Sequence, residues 1–149
     1  MLINFIRIEA FSFASFLDSY FIHLPKESTL EWVYGFPQLT DYLSQNQNKY
    51  QKVIITLRYS QPYMMILFFS KFDPAAYQAL PKVMGKSEFG FINVAGFGKY
   101  QFKNIDSEDF KQPNALIVGT SQEMMGKTNI IKEIDFKNGQ AAFQIAETK

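Results

Sequence analysis

The polar turn Arg58-Tyr59-Ser60-Gln61-Pro62-Tyr63 contains the side chains best suited to binding a ligand. It follows the run Val53–Leu57, which is typical of a strand buried on both faces. In open α/β sheets, ligands bind at the carboxyl ends of the strands. Arg58 could clamp a phosphate or a carboxylate, while Tyr59 and Tyr63 stack on a sugar or a lipid head group. The same residues also suit a plain turn, in which the rings pack locally and Arg58 pairs with an acidic neighbour.

The pair Gly96-x-Gly98 could belong to a loop that cradles a phosphate. A dinucleotide-binding loop needs the pattern G-x-G-x-x-G between a strand and a helix. Here the third glycine is missing and the following residues resemble a strand, so the other interpretation is a turn. The candidate ligand-binding residues are Arg58, Tyr59, Gln61, Tyr63, Gly96 and Gly98.

The remaining polar residues do not predict a catalytic or metal centre. His23 is the only histidine and the chain has no cysteine, so a zinc site is not expected. The acidic residues Asp106, Glu108 and Asp109 follow a predicted strand, where they could bind a cation or begin a solvated helix. No set of nucleophile, base and orienting group can be assembled. We therefore predict no catalytic residue, no metal and no cofactor.

Helices are predicted mainly in the first half of the chain. Apolar residues at roughly helical spacing predict a helix over 8–22, which Pro25 ends. Pro37 and Pro62 suit the first turns of two further helices, and the second of these is apolar on all sides, which predicts burial. Asp73 suits the N-cap of a helix over 74–80. We divide the chain into an apolar helical segment, residues 1–24, and a single α/β domain, residues 25–149.

Short β-branched or alternating runs predict the strands. Thr120 and Glu123 have the spacing of a capping box, and Asn138-Gly139 between alternating runs predicts a hairpin. Strands are expected at 53–57, 91–95, 99–105, 115–118, 130–136 and 141–146. This order predicts an α/β fold: a three-layer, mostly parallel, Rossmann-like sheet with a C-terminal antiparallel β-hairpin.

Composition narrows the function classes. The net charge is +1 and no basic block is present, which argues against nucleic-acid binding. The longest uncharged run, Tyr59–Ser70, is shorter than the about 20 apolar residues that a membrane helix needs. Arg7, Glu9 and Asp18 are placed unlike the charges of a signal peptide or an anchor. The chain is expected to be soluble, alone or as a piece of a larger protein.

An ordered series of motifs covers nearly the whole chain. The segment Tyr20–Pro25, YFIHLP, precedes them. They are W-x-Y-G (32–35), N-K-Y-x-K-V-I-I-T (48–56), R-Y-S-Q-P-Y (58–63), L-F-F-x-K-F-D-P (67–74), G-K-Y-Q-F-K-N-I-D (98–106), N-x-L-I-V-G-T (114–120), I-I-K-E-I (130–134) and N-G-x-x-A-F-x-I-x-E (138–147). Together they resemble the C-terminal soluble region of bacterial membrane glycosyltransferases of the dolichyl-phosphate-mannose–protein mannosyltransferase-like family.

The resemblance implies a polytopic enzyme that moves a sugar from a polyprenyl-phosphate donor to an acceptor outside the cytoplasm. In that family the catalytic acid lies in an early loop between membrane helices, which this chain lacks. The resemblance therefore implies a non-catalytic, extracytoplasmic domain whose partners are the membrane portion of the same enzyme and, for positioning, the polyprenyl-phosphate sugar or the acceptor. Two alternatives stay open: a stand-alone small-ligand-binding α/β module with a mouth formed by Arg58–Tyr63 and Gly96–Gly98, and an enzyme whose site the sequence does not reveal.

Overall fold

The computed structural model describes residues 2–28, 33–59, 61–86, 90, 92–127 and 129–149, with side chains from residue 7 onward. The helices are α1 Leu2–Asp18, α2 Leu24–Glu27, α3 Phe36–Asn46, α4 Pro62–Phe69 and α5 Pro74–Ala79. A π-helical turn, Ser19–His23, joins α1 to α2, and short 3-10 helices span Gln47–Lys49 and Asp109–Lys111. The strands are β1 Lys52–Thr56, β2 Lys82–Lys86, β3 Ile92–Phe97, β4 Tyr100–Lys103, β5 Ala115–Gly119, β6 Ile130–Asp135 and β7 Ala141–Glu147.

The strands form one seven-stranded sheet in the order β2-β3-β4-β1-β5-β7-β6. Only the three central strands are parallel, because β1 pairs in parallel with β4 and β5 while the remaining pairs are antiparallel. The mixed α/β class is therefore confirmed, but the prediction of a mostly parallel sheet is wrong. One physical reason is the link between β3 and β4: Gly98 and Lys99 alone connect them, and a two-residue connection joins only antiparallel strands.

The positions of the strands were predicted more accurately than the directions in which they pair. The strands near 53, 100 and 115 do form the parallel centre, and the predicted C-terminal hairpin is confirmed as β6 and β7. Phe91, in the predicted strand 91–95, lies outside the described residues. Strand β2 was not predicted, because its segment Lys82–Lys86 is short, contains Gly85 and lies at the exposed edge of the sheet.

The main core lies on one face of the sheet, beneath α3 and α4. Its residues include Phe36, Leu39, Leu43, Val53, Ile55, Ile66, Phe102, Leu116, Val118, Phe143 and Ile145. A smaller cluster on the other face contains Ile117, Met124 and Ala146, with Ile105 and Phe110 packed against it. Both faces of β1 are thus covered, which explains why Val53 to Thr56 are all buried.

Helix α4 was predicted to be buried on all sides, but in the structure only one of its faces is buried. Pro62 and Ile66 are its buried residues, whereas Met64 and Phe68 are exposed. A helix on the surface of a sheet covers it with one face only. Because none of the described elements packs over the outer face of α4, its apolar side chains remain at the surface.

The N-terminal helical stretch, residues 2–27, is longer than predicted. Pro25 does not end it, because this residue lies in the first turn of α2, where a missing N–H leaves no hydrogen bond unmade. The π turn shifts the bonding pattern just before it, so that Leu24 N donates to Ser19 O. From residue 7 to residue 28 no side chain is buried. Among the described residues, no helix combines the length and hydropathy needed to cross a bilayer.

Candidate functional site

The carboxyl edge of the parallel strands is where an α/β fold is expected to bind a ligand. Three strands end there: β1 at Thr56, β4 at Lys103 and β5 at Gly119. The segments that follow these strands supply Arg58, the acidic residues near 106 and the Thr120–Glu123 motif. Whether this edge is open therefore depends on the bonds that these segments make with one another.

Glu123 occupies the middle of this edge, with a side chain only 5% exposed. Its Oε1 accepts from Thr56 Oγ1 at 3.0 Å and from Ile105 N at 3.1 Å. Its Oε2 accepts from Thr120 N at 3.0 Å and from Thr120 Oγ1 at 2.9 Å. A carboxylate has about four acceptor positions, so these donors saturate it. The carboxylate joins the ends of β1, β4 and β5 and is committed to structure.

The predicted capping box is confirmed in its hydrogen bonds. Besides the bond from Thr120 N, Glu123 N donates to Thr120 Oγ1 at 3.4 Å. No α-helix follows, however, because residues 121–126 form turns. The motif here closes a loop over the second face of the sheet, where Met124 is buried.

A second buried carboxylate lies beside the end of β4. Asp109 is fully buried and accepts from Lys103 Nζ at 2.9 Å, Asp106 N at 2.9 Å and Gln112 Nε2 at 3.3 Å. Lys103 also donates to Asp106 at 2.8 Å. This bond holds the pKa of Asp106 below its usual value, and the same bond raises the pKa of Lys103.

The acidic residues therefore begin a short helix. Asp106 Oδ1 accepts from the backbone N–H groups of Glu108 and Asp109, and the 3-10 helix starts at Asp109. Within the described ranges, no group of three or more His, Cys, Asp or Glu side chains is placed to hold a metal ion. His23 lies in the N-terminal helical stretch, far in sequence from these acidic residues. Its Nε2 lies 3.2 Å from Asp18 Oδ2.

Tyr59 is held inside the domain. Its hydroxyl donates to Ala142 O at 2.6 Å, and its ring contacts Phe36, Phe136 and Phe143 edge to face. Burial raises the pKa of Tyr59 to about 12. The ring therefore packs locally, as in the plain-turn alternative.

Arg58 also makes the contacts of a plain turn. Its backbone N–H donates to Thr56 Oγ1 at 3.0 Å, and its exposed guanidinium Nε lies 3.9 Å from Glu123 Oε1. Gln61 is exposed in the left-handed region at φ 50° and directly precedes α4. Ser60 lies outside the described residues. Ligand binding by this turn stays a prediction.

Gly96 and Gly98 lie near the amino ends of the parallel strands, opposite the carboxyl edge where Arg58 lies. Gly98 has φ +54° in the turn before β4, and Val53 N at the start of β1 donates to Lys99 O. Arg58 follows the other end of β1, about 15 Å away at the usual rise per residue. Gly96 lies within β3, where a Cβ atom would be 2.8 Å from Tyr100 O. The predicted common mouth is therefore not formed, because β1 and β4 are parallel.

Sequence reasoning missed an apolar groove of about 500 Å³ between α4 and α5. Its walls include Met64, Leu67, Phe68, Phe72, Pro74 and Tyr77. Tyr63 lines its inner end and contacts the core through Phe102, with ring centroids 6.3 Å apart. Of the candidate ligand-binding residues, Tyr63 is the one that lines this groove. A usable signal was the apolar outer face of α4, which the sequence analysis assigned to the interior.

Comparison of the chain with protein-family models, with curated proteins and with solved structures finds no match.

Proposed function

We propose that this chain is a non-catalytic, extracytoplasmic domain of a membrane glycosyltransferase that uses a polyprenyl-phosphate sugar donor. In this proposal the N-terminal helical stretch, residues 2–27, seats the domain on the membrane portion of the same enzyme. The seated domain then helps to position the acceptor or the lipid-linked donor. The motif resemblance supports the family, and the exposed apolar surface of the helical stretch supports the seat.

The exposure of this stretch is the observation that carries the proposal. Phe11 is 75% exposed and Phe16 is 59% exposed, although both are large apolar side chains. Other exposed apolar residues of the same stretch are Ile8, Phe13, Tyr20, Phe21, Ile22 and Leu24. Large contiguous apolar patches on a protein surface mark protein or membrane contacts. The aromatic rings suit such a contact because they bury much area at one site.

The carboxyl edge supports a non-catalytic role. Two buried carboxylates described there accept hydrogen bonds from the fold itself. Glu123 accepts four such bonds, and Asp109 accepts from Lys103 Nζ and Asp106 N. A general acid or base must reach the proton that it transfers, whereas the Glu123 side chain is 5% exposed and Asp109 is fully buried. We also keep the three-layer, Rossmann-like arrangement as a proposal, since both faces of the parallel centre are covered.

Cross-linking tests the seat. The chain has no cysteine, so one introduced thiol is a unique attachment point. Phe16→Cys carries a photo-activated cross-linker on the helical stretch, and Lys132→Cys carries it on exposed β6 as the matched control. In membranes of the organism that encodes the chain, we expect position 16 to capture a membrane-spanning glycosyltransferase segment and position 132 not to do so. Equal products from both positions would contradict the seat.

A transfer assay tests the absence of catalysis. The purified chain is incubated with polyprenyl-phosphate mannose and a peptide acceptor, and we expect no sugar transfer above the rate without protein. Turnover that survives repurification would show that the chain is an enzyme. The membranes containing the whole enzyme serve as the positive control.

A stand-alone small-ligand-binding module is our second proposal, and the groove between α4 and α5 favours it. Its volume of about 500 Å³ falls in the range of small-molecule sites. Such a module needs no membrane partner, so cross-linking from positions 16 and 132 would not differ.

A further inference from the structure

The groove between α4 and α5 has apolar walls and an open mouth. Phe68 is 73% exposed at its rim, and Met64 and Phe72 are also exposed. Exposed apolar side chains on both sides of a cleft lose contact with water when a ligand tail lies between them. The groove is therefore suited to an aliphatic chain.

A lysine with no charge partner among the described residues lies at this groove. Lys71 is one of its lining residues and is exposed, in the left-handed region at φ 52°. Its backbone N–H donates to Phe68 O. Within the described part of the chain, its ammonium group makes neither a hydrogen bond nor an ion pair.

The neighbouring charged groups are already engaged. Lys82 Nζ donates to Gln78 O and Leu80 O and lies 4.6 Å from the centroid of the Tyr77 ring. The Asp73 carboxylate accepts from Ala75 N at 3.1 Å and Ala76 N at 3.3 Å as the N-cap of α5. Among the residues that the structure describes, Lys71 is thus the one cation lining the groove whose charge remains available to a ligand.

The surroundings of Lys71 favour a singly charged head group. The residue follows the C-terminus of α4, whose last carbonyl groups accept from Ser70 N, Lys71 N and Phe72 N. Asp73 adds a negative charge nearby in sequence. Lys71 supplies one positive charge, which matches a carboxylate, whereas the nearly doubly charged head of a phosphate monoester would stay partly unbalanced beside Asp73.

We propose that the groove binds a single-chain carboxylate, with its aliphatic tail between α4 and α5 and its head group at Lys71. The binding is reversible and involves no covalent step. This inference rests on the second proposal, in which the groove is a ligand site, and it is independent of the membrane seat, which cross-linking tests separately.

The test is an NMR titration of the nitrogen-labelled full chain with decanoate below its micelle concentration. We expect saturable shifts at the groove residues, and weaker binding of decyltrimethylammonium, which has the same tail and the opposite charge. Lys71→Glu should weaken decanoate binding about five- to tenfold, the loss expected for an exposed ion pair plus the new repulsion. Lys132→Glu, on β6 at the far edge of the sheet, should leave the affinity unchanged.

A second variant and a second anion complete the test. Phe68→Ser removes an exposed apolar wall, so the fold should persist while decanoate binds more weakly. Equal binding of decanoate and decyltrimethylammonium, an unchanged affinity in Lys71→Glu, or shifts confined to α1 would each overturn the proposal. Tighter binding of decyl phosphate than of decanoate would overturn the choice of a carboxylate.

Discussion

Replacing Glu123 tests whether the carboxyl edge of the sheet is closed by structure. In Glu123→Ala the N–H groups of Ile105 and Thr120 lose their acceptor, and the hydroxyls of Thr56 and Thr120 lose theirs. The hydroxyls can rotate toward other partners, but the backbone N–H groups cannot. An unsatisfied buried donor costs about 1–3 kcal/mol. We therefore expect the free energy of unfolding to fall by about 3–5 kcal/mol.

This loss is large relative to the total stability of a domain, which is about 5–15 kcal/mol. Arg58 adds little to it, because its guanidinium is exposed and lies 3.9 Å from the carboxylate. Urea unfolding followed by circular dichroism, with linear extrapolation to water, measures the change. The matched control is Glu133→Ala on β6, whose carboxylate accepts one exposed bond from Gln144. There we expect a loss within about 0.5 kcal/mol.

A loss of less than about 1 kcal/mol in Glu123→Ala would show that the four bonds are not structural. Equal losses of stability in the two glutamate variants would show the same. In either case Glu123 would be free to contact a ligand, and structure would not close this edge.

Three further predictions concern the hydroxyl of Tyr59, the carboxylate of Asp106 and the exposed apolar residues of the N-terminal helical stretch. Tyr59→Phe removes the bond to Ala142 O and should lower the free energy of unfolding by about 1–2 kcal/mol in urea titration. Burial raises the pKa of Tyr59 from 10.0 to about 12. The contribution of Tyr59 to the free energy of unfolding is therefore full below pH 10 and is lost as the pH rises toward 12. Tyr59→Phe should accordingly lose less stability at alkaline pH. The lowered pKa of Asp106 gives stability that is present above pH 3.8 and lost as the pH falls through the folded-state pKa. Asp106→Asn should therefore reduce the dependence of the free energy of unfolding on pH at acid pH. An unchanged dependence would contradict this. Phe11→Lys with Phe16→Lys should reduce self-association of the isolated chain in analytical ultracentrifugation, and unchanged association would count against a bare docking surface.

Local sequence signals predicted the elements better than their pairing. The β-branched runs of β1 and β5 and the Asn138-Gly139 turn each carry their own signal, and all appear in the structure. Pairing depends on contacts between distant segments, so composition did not reveal that antiparallel strands flank the parallel centre. Strand β2 lacked a signal because an exposed edge strand needs no regular apolar pattern.

The candidate site was predictable only where its contacts are local. Thr120 and Glu123 are three residues apart, and their mutual bonds follow from that spacing. The bonds from Thr56 and Ile105 to Glu123 join segments far apart in the chain and require the sheet to form first. The sequence left open whether the strand near 91 or the one near 100 belongs to the parallel part. The parallel pairing of β1 with β4 is what places Arg58 and Gly98 at opposite ends of these strands.

The most direct test of the seat is thiol protection in intact membranes. Phe16→Cys and Lys132→Cys are placed in the membrane glycosyltransferase that we propose contains this chain, and each thiol is modified with a hydrophilic maleimide before and after detergent extraction. Because Phe16 is exposed among the described residues, protection of position 16 indicates a contact outside them. We predict slow modification at position 16 in membranes, fast modification after extraction, and equal rates at position 132 in both states. Equal, fast modification at position 16 in both states would contradict the account.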